Sequence, residues 1–528
     1  MLLATGEQVS VALMAMAIHS LGHEAISMTG AQIGIVTDST HTKARIRSIS
    51  TARIRQALDA GKIVIAAGFQ GVDEQSNITT LGRGGSDTTA VALAAVLGAD
   101  ACEVYTDVDG VYTTDPRIVP EARLSRRISY DEMLELASVG AGVMHSRAVE
   151  FAKKFAVPVH VRSSFSDTSG TMITSEPESR TRAVCGAACA RDEARVTVLG
   201  VPDRPGAALT VFSKVAAKKI AMDMIVQNVA AAGHADISFS VLHDDLPATL
   251  KAVEEATSEL GTEGYTCDDQ MSKISVVGSG MATRTGVAEK MFVALAEKGI
   301  NIVLISTSEI KISVLVAREY AHEALRAVHE AFQLDVEPSQ TGGGVRPAEK
   351  PPGRNATEVA AQIERMEELI IDDIILDDSQ ARVTVVDLPD MPGLAAQVFD
   401  EIAEGGILVD MIVQSVGRDG HANLSFTVGK NDLERSIKLA TELSELLECP
   451  PPTSCPHVAK LSVFGIGMKS HTSVAIRLFR SLCEVGINVD MISTSEVRIN
   501  VVVDGQHGQE ALAVLKQEFA DVILPARR

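Results

Sequence analysis

The sequence predicts an α/β fold in two parts, a three-layer domain followed by smaller mixed α/β units. Residues 1 to about 174 alternate helical and strand patterns, which is typical of helices packed on both faces of a sheet. From Ala194 the chain changes to short units of strand, turn, helix and strand. Landmarks in these units recur at one constant spacing, so the second part contains an internal duplication.

Composition narrows the class of protein. The 528 residues suffice for three or four domains, and 46% hydrophobic residues support large cores. Aromatic residues make up only 3%, so aliphatic side chains must fill those cores. The net charge of −21 argues against nucleic acid or an anionic membrane as a partner. Seven scattered cysteines suit a reducing compartment, and we find no signal peptide or membrane-spanning run, so we predict a cytoplasmic protein.

Apolar spacing predicts the elements of the first part in order. Helical periodicity covers residues 8–21, and a short apolar run at 62–67 indicates a buried parallel strand. The other predicted elements are a helix at 86–97, a strand at 102–106, a helical stretch at 130–155 broken near Gly140, and a strand at 157–162.

Two polar segments carry the strongest functional signal. Residues 81–89 place three glycines and Arg83 just before the helix at 86–97. Glycine lets the backbone approach a ligand, a helix amino terminus attracts anions, and an arginine fork fits a carboxylate or phosphate. Residues 106–117 follow the strand at 102–106 and end in Asp-Pro-Arg. Together the segments predict an anion pocket at the carboxyl ends of strands in an α/β sheet.

The first segment differs from two common phosphate-binding motifs. A P-loop requires lysine after its last glycine, where this chain has Ser86, and the dinucleotide motif G-x-G-x-x-G breaks at Asp87. Taken alone, the segment is also compatible with a glycine turn in which Ser86 or Asp87 is an ordinary helix cap.

The duplication is visible in landmarks that keep one offset. Each pair is 187 residues apart, at 203–206 and 390–393, at 224–227 and 411–414, and at 305–309 and 492–496. Between the copies, residues 337–357 are rich in proline and glycine and indicate a flexible linker, and residues 358–372 have helical spacing.

Several motifs in order resemble the aspartate kinase family. They are the two polar segments, Thr5 to Ser10, Gly68 to Gly71, Ser129 to Met133, and Arg147 to Phe151. The resemblance covers Met1 to about residue 330, and each duplicated unit resembles a pair of ACT domains, the βαββαβ modules that bind amino acids. It implies a partial amino acid kinase-like α/β domain at 1–174, ferredoxin-like ACT modules at 192–264, 265–336, 374–450 and 451–528, and a linker at 337–373.

The resemblance also implies an activity. Aspartate kinases use ATP, with Mg²⁺ bound to the nucleotide, to phosphorylate the β-carboxylate of L-aspartate to 4-phospho-L-aspartate. This is the first step of lysine, threonine and methionine biosynthesis, and ACT domains provide feedback regulation. We expect no metal site in the protein itself. The alternative that stays open is a non-catalytic amino-acid sensor built on a kinase remnant. The ACT-like units and the segment at 106–117 argue against another amino acid kinase such as glutamate kinase.

By the same resemblance, the motifs receive roles. Arg83 and Asp87 are the expected catalytic residues, Arg83 gripping a substrate carboxylate and Asp87 orienting a catalytic lysine. The expected aspartate-binding residues are Glu7, Arg83, Gly84, Gly85 and Ser86. The expected ATP-binding residues are Ser86, Thr106, Asp107, Tyr112 and Arg117. For Glu7 the alternative is an exposed carboxylate in the first turn of its helix, and for Arg117 it is a solvated charge.

The family's regulatory chemistry predicts an effector site in the first ACT pair. The expected residues are Asp203, Gly206, Ala208, Asp223, Gln227 and Asn228. There a helix amino terminus meets the effector carboxylate, and an aspartate meets its ammonium. The expected effector is threonine, lysine or both. The second pair has Ser415 in place of Asn228, so we expect it to bind weakly, to bind another amino acid or to support dimerisation, and we expect a homo-oligomer.

One departure from the family pattern concerns the front of the chain. Family members begin with a strand and a Lys-Phe-Gly-Gly-Thr-Ser loop, whereas Met1 matches a position about 65 residues into that pattern. We therefore expect the first strand and the glycine loop to be missing from the chain as given. A second departure is Ser146, where the family has proline, and we expect its neighbour His145 to be a packed or capping residue.

Overall fold

The computed structural model describes residues 1–140, 142–229, 233–338, 369–416, 420–468 and 473–523. Most of the predicted linker and the predicted helix at 358–372 lie outside the described residues, except that residues 370–372 belong to a strand.

The first part of the chain contains five helices and ten strands within its described residues. The helices are α1 (Leu2–Ser20), α2 (Ala52–Asp59), α3 (Gly85–Leu97), α4 (Tyr130–Ser138) and α5 (Ser146–Phe155). The strands are β1 (Ala25–Met28), β2 (Ile35–Thr37), β3 (Ile46–Ile49), β4 (Ile63–Ala66), β5 (Gln70–Val72), β6 (Ile78–Thr80), β7 (Cys102–Thr106), β8 (Arg127–Ser129), β9 (Val159–Ser163) and β10 (Thr171–Thr174).

These strands form three small sheets. β1 pairs with β4 in parallel, and the two four-stranded sheets have the orders β3-β2-β5-β6 and β7-β9-β10-β8. Most buried apolar side chains of this part form one core that includes residues from α3, α4 and α5. The prediction of an α/β domain with helices packed on sheets is confirmed.

Most element predictions here are close to the structure, with two exceptions. The predicted strand at 62–67 is β4 and pairs in parallel, but it is not buried, since Ile63 is 44% exposed and its other residues are half-buried. The first helix is the second exception. The strand β7 has the predicted bounds, and the helical stretch at 130–155 is broken between Ser138 and Ser146, around the predicted position. However, α1 begins at Leu2 and not near Gln8. Its buried residues Ala4, Val11 and Ala15 show why, since the helical spacing of small apolar residues starts upstream of Thr5.

The second part contains four βαββαβ modules, numbered 1 to 4 in the order predicted above. Modules 1 and 2 contain β11 (Gly186–Pro202), α6 (Ala207–Ala217), β12 (Asp223–Val229), β13 (His234–Leu242), α7 (Leu246–Leu260), β14 (Gly264–Val277), α8 (Val287–Ala296), β15 (Leu304–Ser308), β16 (Lys311–Ala317) and α9 (Ala321–Ala331). Modules 3 and 4 contain β17 (Ile370–Pro389), α10 (Leu394–Glu404), β18 (Val409–Val416), β19 (His421–Gly429), α11 (Leu433–Leu446), β20 (Thr453–Ile466), α12 (Ser473–Glu484), β21 (Met491–Thr494), β22 (Arg498–Asp504) and α13 (Gly508–Glu518).

Strand pairing corrects the sequential module limits. The first residues of β11, 186–190, pair with residues 273–277 of β14, so they belong to the sheet of module 2 although they precede module 1. In the second copy, residues 370–377 of β17 pair with 460–466 of β20 in the same way. Modules 1 and 3 are therefore insertions within modules 2 and 4, and the limits 192 and 374 leave out an edge strand.

All four modules share one twelve-stranded sheet, in the order β12-β13-β11-β14-β16-β15-β18-β19-β17-β20-β22-β21. The two copies join where β15 of module 2 pairs with β18 of module 3. The terminal strands β12 and β21 also lie against each other. The second pair thus packs on the first within one chain.

Equivalent residues of the duplication mark two matching interfaces. Phe212 of module 1 packs on Phe479 of module 4 with ring centroids 5.2 Å apart, and Phe292 of module 2 packs on Phe399 of module 3 at 5.5 Å. Phe212 and Phe399 are equivalent positions of the repeat, as are Phe292 and Phe479. The two interfaces are therefore related by an approximate two-fold arrangement.

Candidate active site and effector cavities

The glycine loop before α3 is held in a left-handed conformation. Gly84 caps α3 with φ of 69°, and a Cβ added there would lie 2.2 Å from the Cβ of His145. Thr88 donates to the carbonyl of Gly84 at 2.9 Å, and Thr89 donates to that of Gly85 at 2.7 Å. Neither Ser86 nor Asp87 is the N-cap, so that interpretation was wrong. Both lie in the first turn of α3, where the backbone N–H groups have no partner within the helix.

The start of α5 closes the glycine loop from behind. The backbone N–H of His145 donates to the Asp87 carboxylate, and burial raises the pKa of Asp87 above its usual value. The His145 side chain caps α5 by accepting from the N–H of Arg147 at 3.3 Å, as predicted for a capping residue. Burial and two neighbouring arginines, Arg147 and Arg83, lower the pKa of His145. The imidazole is therefore neutral near pH 7.

Helix α1 reaches the same site through the Gly68–Gly71 loop. Gln8 donates to the Gln70 side chain at 2.9 Å, and Gln70 donates to the carbonyl of Ala4 at 3.1 Å. Phe69 donates through its N–H to Thr89 at 3.1 Å and accepts from the N–H of Leu81 at 2.9 Å. Glu7 is half-buried in the second turn of α1, which removes the first-turn alternative for this residue.

The structure thus brings most predicted substrate residues to one place. Arg83 and Ser86 are exposed, Asp87 is half-buried, and Gly85 is buried against Leu81 and Phe69. An exposed guanidinium beside a helix amino terminus is suited to a carboxylate or phosphate. The sequence did not indicate that the start of α5 contacts the glycine loop, because His145 is 58 positions from Asp87 along the chain.

The second segment continues from the end of β7. The Thr106 hydroxyl donates to Asp107 at 3.2 Å, and Asp109 accepts from the Tyr112 hydroxyl at 3.4 Å. Burial and Asp109 raise the pKa of the Tyr112 phenol. Arg117 is 88% exposed and forms an ion pair with Asp115 at 2.7 Å. The Arg117 guanidinium is therefore solvated, and Asp115 neutralises its charge. This agrees with the alternative interpretation of Arg117 as a solvated charge.

Module 2 supports this segment from behind. The Thr113 hydroxyl lies 3.1 Å from Nε2 of His329 on α9, and Arg326 donates to the carbonyl of Ile118 at 3.0 Å. Thr113 and His329 are both buried. The predicted nucleotide segment is consequently in direct contact with the regulatory part of the chain.

Two small cavities of about 20 Å³ lie at the matching module interfaces. The first lies between modules 1 and 4, where Asp203, beside the cavity, accepts from Asn488 in its wall at 2.7 Å. The second lies between modules 2 and 3, where Asp390 accepts from Asn301 at 2.9 Å. The first cavity is lined by Gly206, Ala208 and Gln227, among others. Three predicted effector residues therefore line one cavity, and Asp203 borders it.

One predicted effector residue, Asp223, is placed differently. Asp223 does not line that cavity; its carboxylate accepts from Lys273 at 2.7 Å, and Lys273 also contacts Glu193 at 2.8 Å. The structure therefore does not place Asp223 with the other expected effector residues, because a buried lysine 50 positions away in the chain attracts its carboxylate. Asn228 lies on β12, and its side chain is outside the described residues.

A larger cavity, of about 280 Å³, lies between modules 2 and 3. Its polar lining includes Arg284, Ser308, Glu309, Asp410 and Lys460, and Asp410 and Lys460 form an ion pair. Sequence reasoning missed this cavity. The available signal was that Asp410 and Lys460 repeat Asp223 and Lys273, while Gln380 replaces Glu193 and so removes one negative charge.

No cluster of three metal-ligating side chains occurs in the part of the chain that the structure describes. In the same part, α1 is the one helix whose length and mean hydropathy suit a membrane span. Helix α1 packs on β1 and β4 along one side, and its buried residues are Ala4, Val11 and Ala15. The seven cysteines are all free.

Comparison with known proteins agrees with these features. The model of the amino acid kinase family matches residues 1–163, and the ACT domain model matches residues 274–332, 383–442 and 461–519. Module 1 has the same βαββαβ order in the structure.

The relatives are aspartate kinases. The enzyme of Stutzerimonas stutzeri is 50% identical over 342 residues, 64% of this chain and 83% of that protein. The aspartokinase of Corynebacterium efficiens is 49% identical over 340 residues, 63% of this chain and 81% of that protein. The crystal structure of aspartate kinase from Synechocystis covers 100% of this chain and 88% of its own, with 37% identity and a TM-score of 0.59. The chain belongs to the aspartate kinase family.

Proposed function

We propose that this protein transfers the γ-phosphoryl group of ATP to the β-carboxylate of L-aspartate. One observation carries the proposal: Arg83 stands exposed on a glycine loop that Gly84 and the start of α5 fix at the amino terminus of α3. The loop lies in a chain that is about half identical to aspartate kinases over some 340 residues. The reaction forms 4-phospho-L-aspartate and ADP.

Each site residue binds a substrate group of opposite charge or orients one. Substrate carboxylate and phosphate are both anionic, so catalysis depends on positioning and neutralisation. Arg83 and the first N–H groups of α3 bind a substrate carboxylate, and Ser86 lies between substrate and phosphate. Glu7 binds the ammonium group of aspartate. Asp87, which the N–H of His145 holds in place, orients the catalytic lysine that the family uses at the transferred phosphate.

On the nucleotide side, Thr106, Asp107 and Tyr112 border ATP, and Arg117 joins them when it leaves Asp115. Mg²⁺ enters with the nucleotide and neutralises its phosphates. Three acidic side chains follow β7: Asp107 is exposed, and Asp109 and Asp115 are half-buried. They are separated along the segment, which suits contact with a nucleotide-bound ion better than a resident site.

We further propose that amino-acid effectors bind in the module interfaces. In the 280 Å³ cavity, Asp410 and Glu309 accept ammonium groups when they exchange their present partners Lys460 and Arg498, and Arg284 and the released Lys460 suit a carboxylate. That combination fits lysine, which carries two ammonium groups. The smaller cavity beside Asp203 fits threonine after the Asp203–Asn488 contact opens. We place the protein in the cytoplasm, and we expect it to form a homo-oligomer.

A hydroxamate assay tests the activity. The wild-type chain should form aspartyl hydroxamate in proportion to aspartate and ATP. Arg83→Ala should lower kcat/KM for aspartate by about 30- to 1000-fold, since a charged hydrogen bond in a reacting site is worth roughly 2–4 kcal/mol. Arg180→Ala is the control, because Arg180 is 77% exposed and pairs only at the surface.

Two outcomes would contradict the proposal. An effect of Arg83→Ala below about threefold would remove Arg83 from the site. Calorimetric binding of lysine or threonine without any phosphorylation of aspartate would favour the amino-acid sensor instead.

A further inference from the structure

Arg147, at the start of α5, connects three segments around the glycine loop. Its guanidinium donates to the carbonyl of Leu81 at 3.0 Å and to that of Ala44 at 2.9 Å. The N–H of Ala44 in turn donates to Thr80 at 2.9 Å. The planar fork of arginine can serve two carbonyls at once, which a lysine ammonium cannot do with the same geometry.

The position of these carbonyls determines where the substrate-binding arginine stands. Leu81 directly precedes Gly82 and Arg83, and Gly82 has φ of 84°, a conformation that only local contacts can fix. Loss of the donor to the Leu81 carbonyl would leave the loop with fewer contacts, namely the hydrogen bond from the N–H of Leu81 to Phe69 and the packing of Gly84 on His145.

We infer that Arg147 is a positioning residue that fixes the loop carrying Arg83 in its substrate-binding conformation. The inference rests on the proposed function. Arg147 itself is directed at backbone carbonyls and does not contact substrate. Its loss should weaken aspartate binding more than ATP binding, because ATP is bordered mainly by residues 106–117.

The test compares Arg147→Met, Arg147→Lys and the surface control Arg180→Met. We expect Arg147→Met to raise KM for aspartate at least tenfold with less than threefold change in KM for ATP, and Arg147→Lys to lie between Met and wild type. Hydrogen exchange gives a readout without turnover: amides of residues 81–87 should exchange at least tenfold faster in Arg147→Met, with no change in the control.

A purely structural role predicts a different result. Both KM values would then stay within threefold while the active fraction fell, and exchange would rise across the whole domain. Either finding overturns the inference. Absence of any aspartate phosphorylation by the wild type would instead contradict the proposed function, and the exchange measurement would still decide the role of Arg147.

A second, independent observation concerns α4, which lies between two copies of the same hairpin. Residues 308–311 of module 2 and 495–498 of module 4 are equivalent in the duplication, and Ile310 and Val497 both join the core of the first domain. One helix of the catalytic part therefore contacts both ACT pairs.

Glu135 on α4 binds both hairpins at once. Its side chain is 0% exposed; one carboxylate oxygen lies 2.8 Å from Nζ of Lys311, and the other accepts from the N–H of Glu496 at 3.0 Å. One turn earlier, Glu132 caps its own helix through Ser129 and also accepts from the N–H and hydroxyl of Ser279 in module 2, at 3.0 and 2.9 Å.

The two hairpins are also joined to each other. Arg498 forms an ion pair with Glu309, and the Ser493 hydroxyl donates to the carbonyl of Thr307 at 2.5 Å. A shift between the ACT pairs would therefore move Lys311 relative to Glu496 and strain the buried carboxylate between them. Helix α4 packs on α5, which fixes the glycine loop.

We propose that Glu135 couples the ACT assembly to the catalytic domain, and that module 4 takes part through its contact with this residue. The proposal gives the second ACT pair a regulatory role in place of a purely structural one. It rests on the proposed function and requires that effector binding change the relative position of the two hairpins.

The experiment measures inhibition by lysine and threonine, singly and together, in Glu135→Gln, Lys311→Met and the double variant. We expect kcat without effector to stay within threefold of wild type and the half-inhibiting concentration to rise at least tenfold in each single variant. The double variant should resemble the singles, because both remove the same contact. Arg382→Met is the control, since its ion pair with Asp490 lies within modules 3 and 4.

Hydrogen exchange again separates coupling from folding. Effector should change exchange of residues 130–138 in the wild type and in Arg382→Met, but not in Glu135→Gln. Unchanged inhibition in both single variants would overturn the proposal. So would a wild-type enzyme that phosphorylates aspartate but responds to neither amino acid.

Discussion

At the scale of single residues, the space around a side chain decides its role. Gly84 and Gly98 flank the same helix α3, and both adopt positive φ, 69° and 64°. A Cβ at Gly84 would meet His145 at 2.2 Å, whereas a Cβ at Gly98 would meet nothing within 4 Å. Gly98 is therefore required only by backbone conformation, and Gly84 is also required by the close approach of α5.

The two glycines provide a matched prediction. Gly98→Ala should lower the free energy of unfolding by about 1 kcal/mol, the cost of a left-handed conformation for alanine. Gly84→Ala should cost more and should lower kcat/KM for aspartate at least tenfold, because α5 must move away from Asp87 and Leu81. Thermal unfolding and the hydroxamate assay measure both effects. Equal effects of the two substitutions would show that the contact with His145 does not matter.

At the scale of secondary structure, duplicated elements have diverged in electrostatics. In the first copy, Lys273 lies between Asp223 and Glu193 and is 2% exposed. In the second copy, Lys460 pairs with Asp410 and also lies near Asp377, and neutral Gln380 replaces the carboxylate of Glu193 beside the 280 Å³ cavity. In the first copy, Lys273 is buried and paired with two carboxylates. In the second copy, Lys460 and Asp410 are charged residues in the wall of a cavity.

This divergence predicts unequal effects of the same substitution. Lys273→Met leaves two carboxylates buried without their cation and should destabilise the protein by about 3–5 kcal/mol. Lys460→Met should cost less, because Asp410 is 24% exposed and water can solvate it, but it should weaken amino-acid binding in the cavity. Chemical denaturation and calorimetry with lysine measure the two effects. A larger loss of stability in Lys460→Met would contradict this account.

Local elements were predictable, and contacts between distant elements were not. Helix α3 and strand β7 follow from apolar spacing and from the glycines at their ends, and the duplication follows from a constant offset. The salt bridge of Asp223 with Lys273 joins β12 to β14, and no periodicity encodes it. The same holds for Arg147, whose partners lie 66 and 103 positions away in the chain.

At the scale of the whole molecule, one chain provides both halves of the ACT assembly. The modules form a continuous sheet in which each copy contributes an equivalent interface to the other. The sequence revealed that the unit was duplicated but did not indicate that the copies pack on each other. It also placed module boundaries sequentially, whereas modules 2 and 4 each begin with a strand that precedes their neighbour.

The strand order predicts which fragments fold. Fragment 182–338 contains residues 186–190, which complete the sheet of module 2, and Val184 and Ala187, which belong to the core around that sheet. Fragment 192–338 lacks them and exposes the edge of β14 at 273–277. We expect the shorter fragment to lose about 3 kcal/mol, which corresponds to a melting temperature lower by roughly 10 °C for a domain of this size, or to aggregate.

Circular dichroism at matched protein concentration measures the difference, since both fragments expose the face that the second copy covers and both should self-associate. The second copy offers a repeat of the experiment with fragments 369–523 and 379–523, because residues 370–377 complete module 4 in the same way. Equal melting temperatures within both pairs of fragments would show that the preceding strands add nothing to modules 2 and 4. A lower melting temperature of the shorter fragment in both pairs would show that modules 2 and 4 depend on the strands that precede modules 1 and 3. Since each preceding strand continues into module 1 or 3, an effector bound to that module would then act on the core of its neighbour.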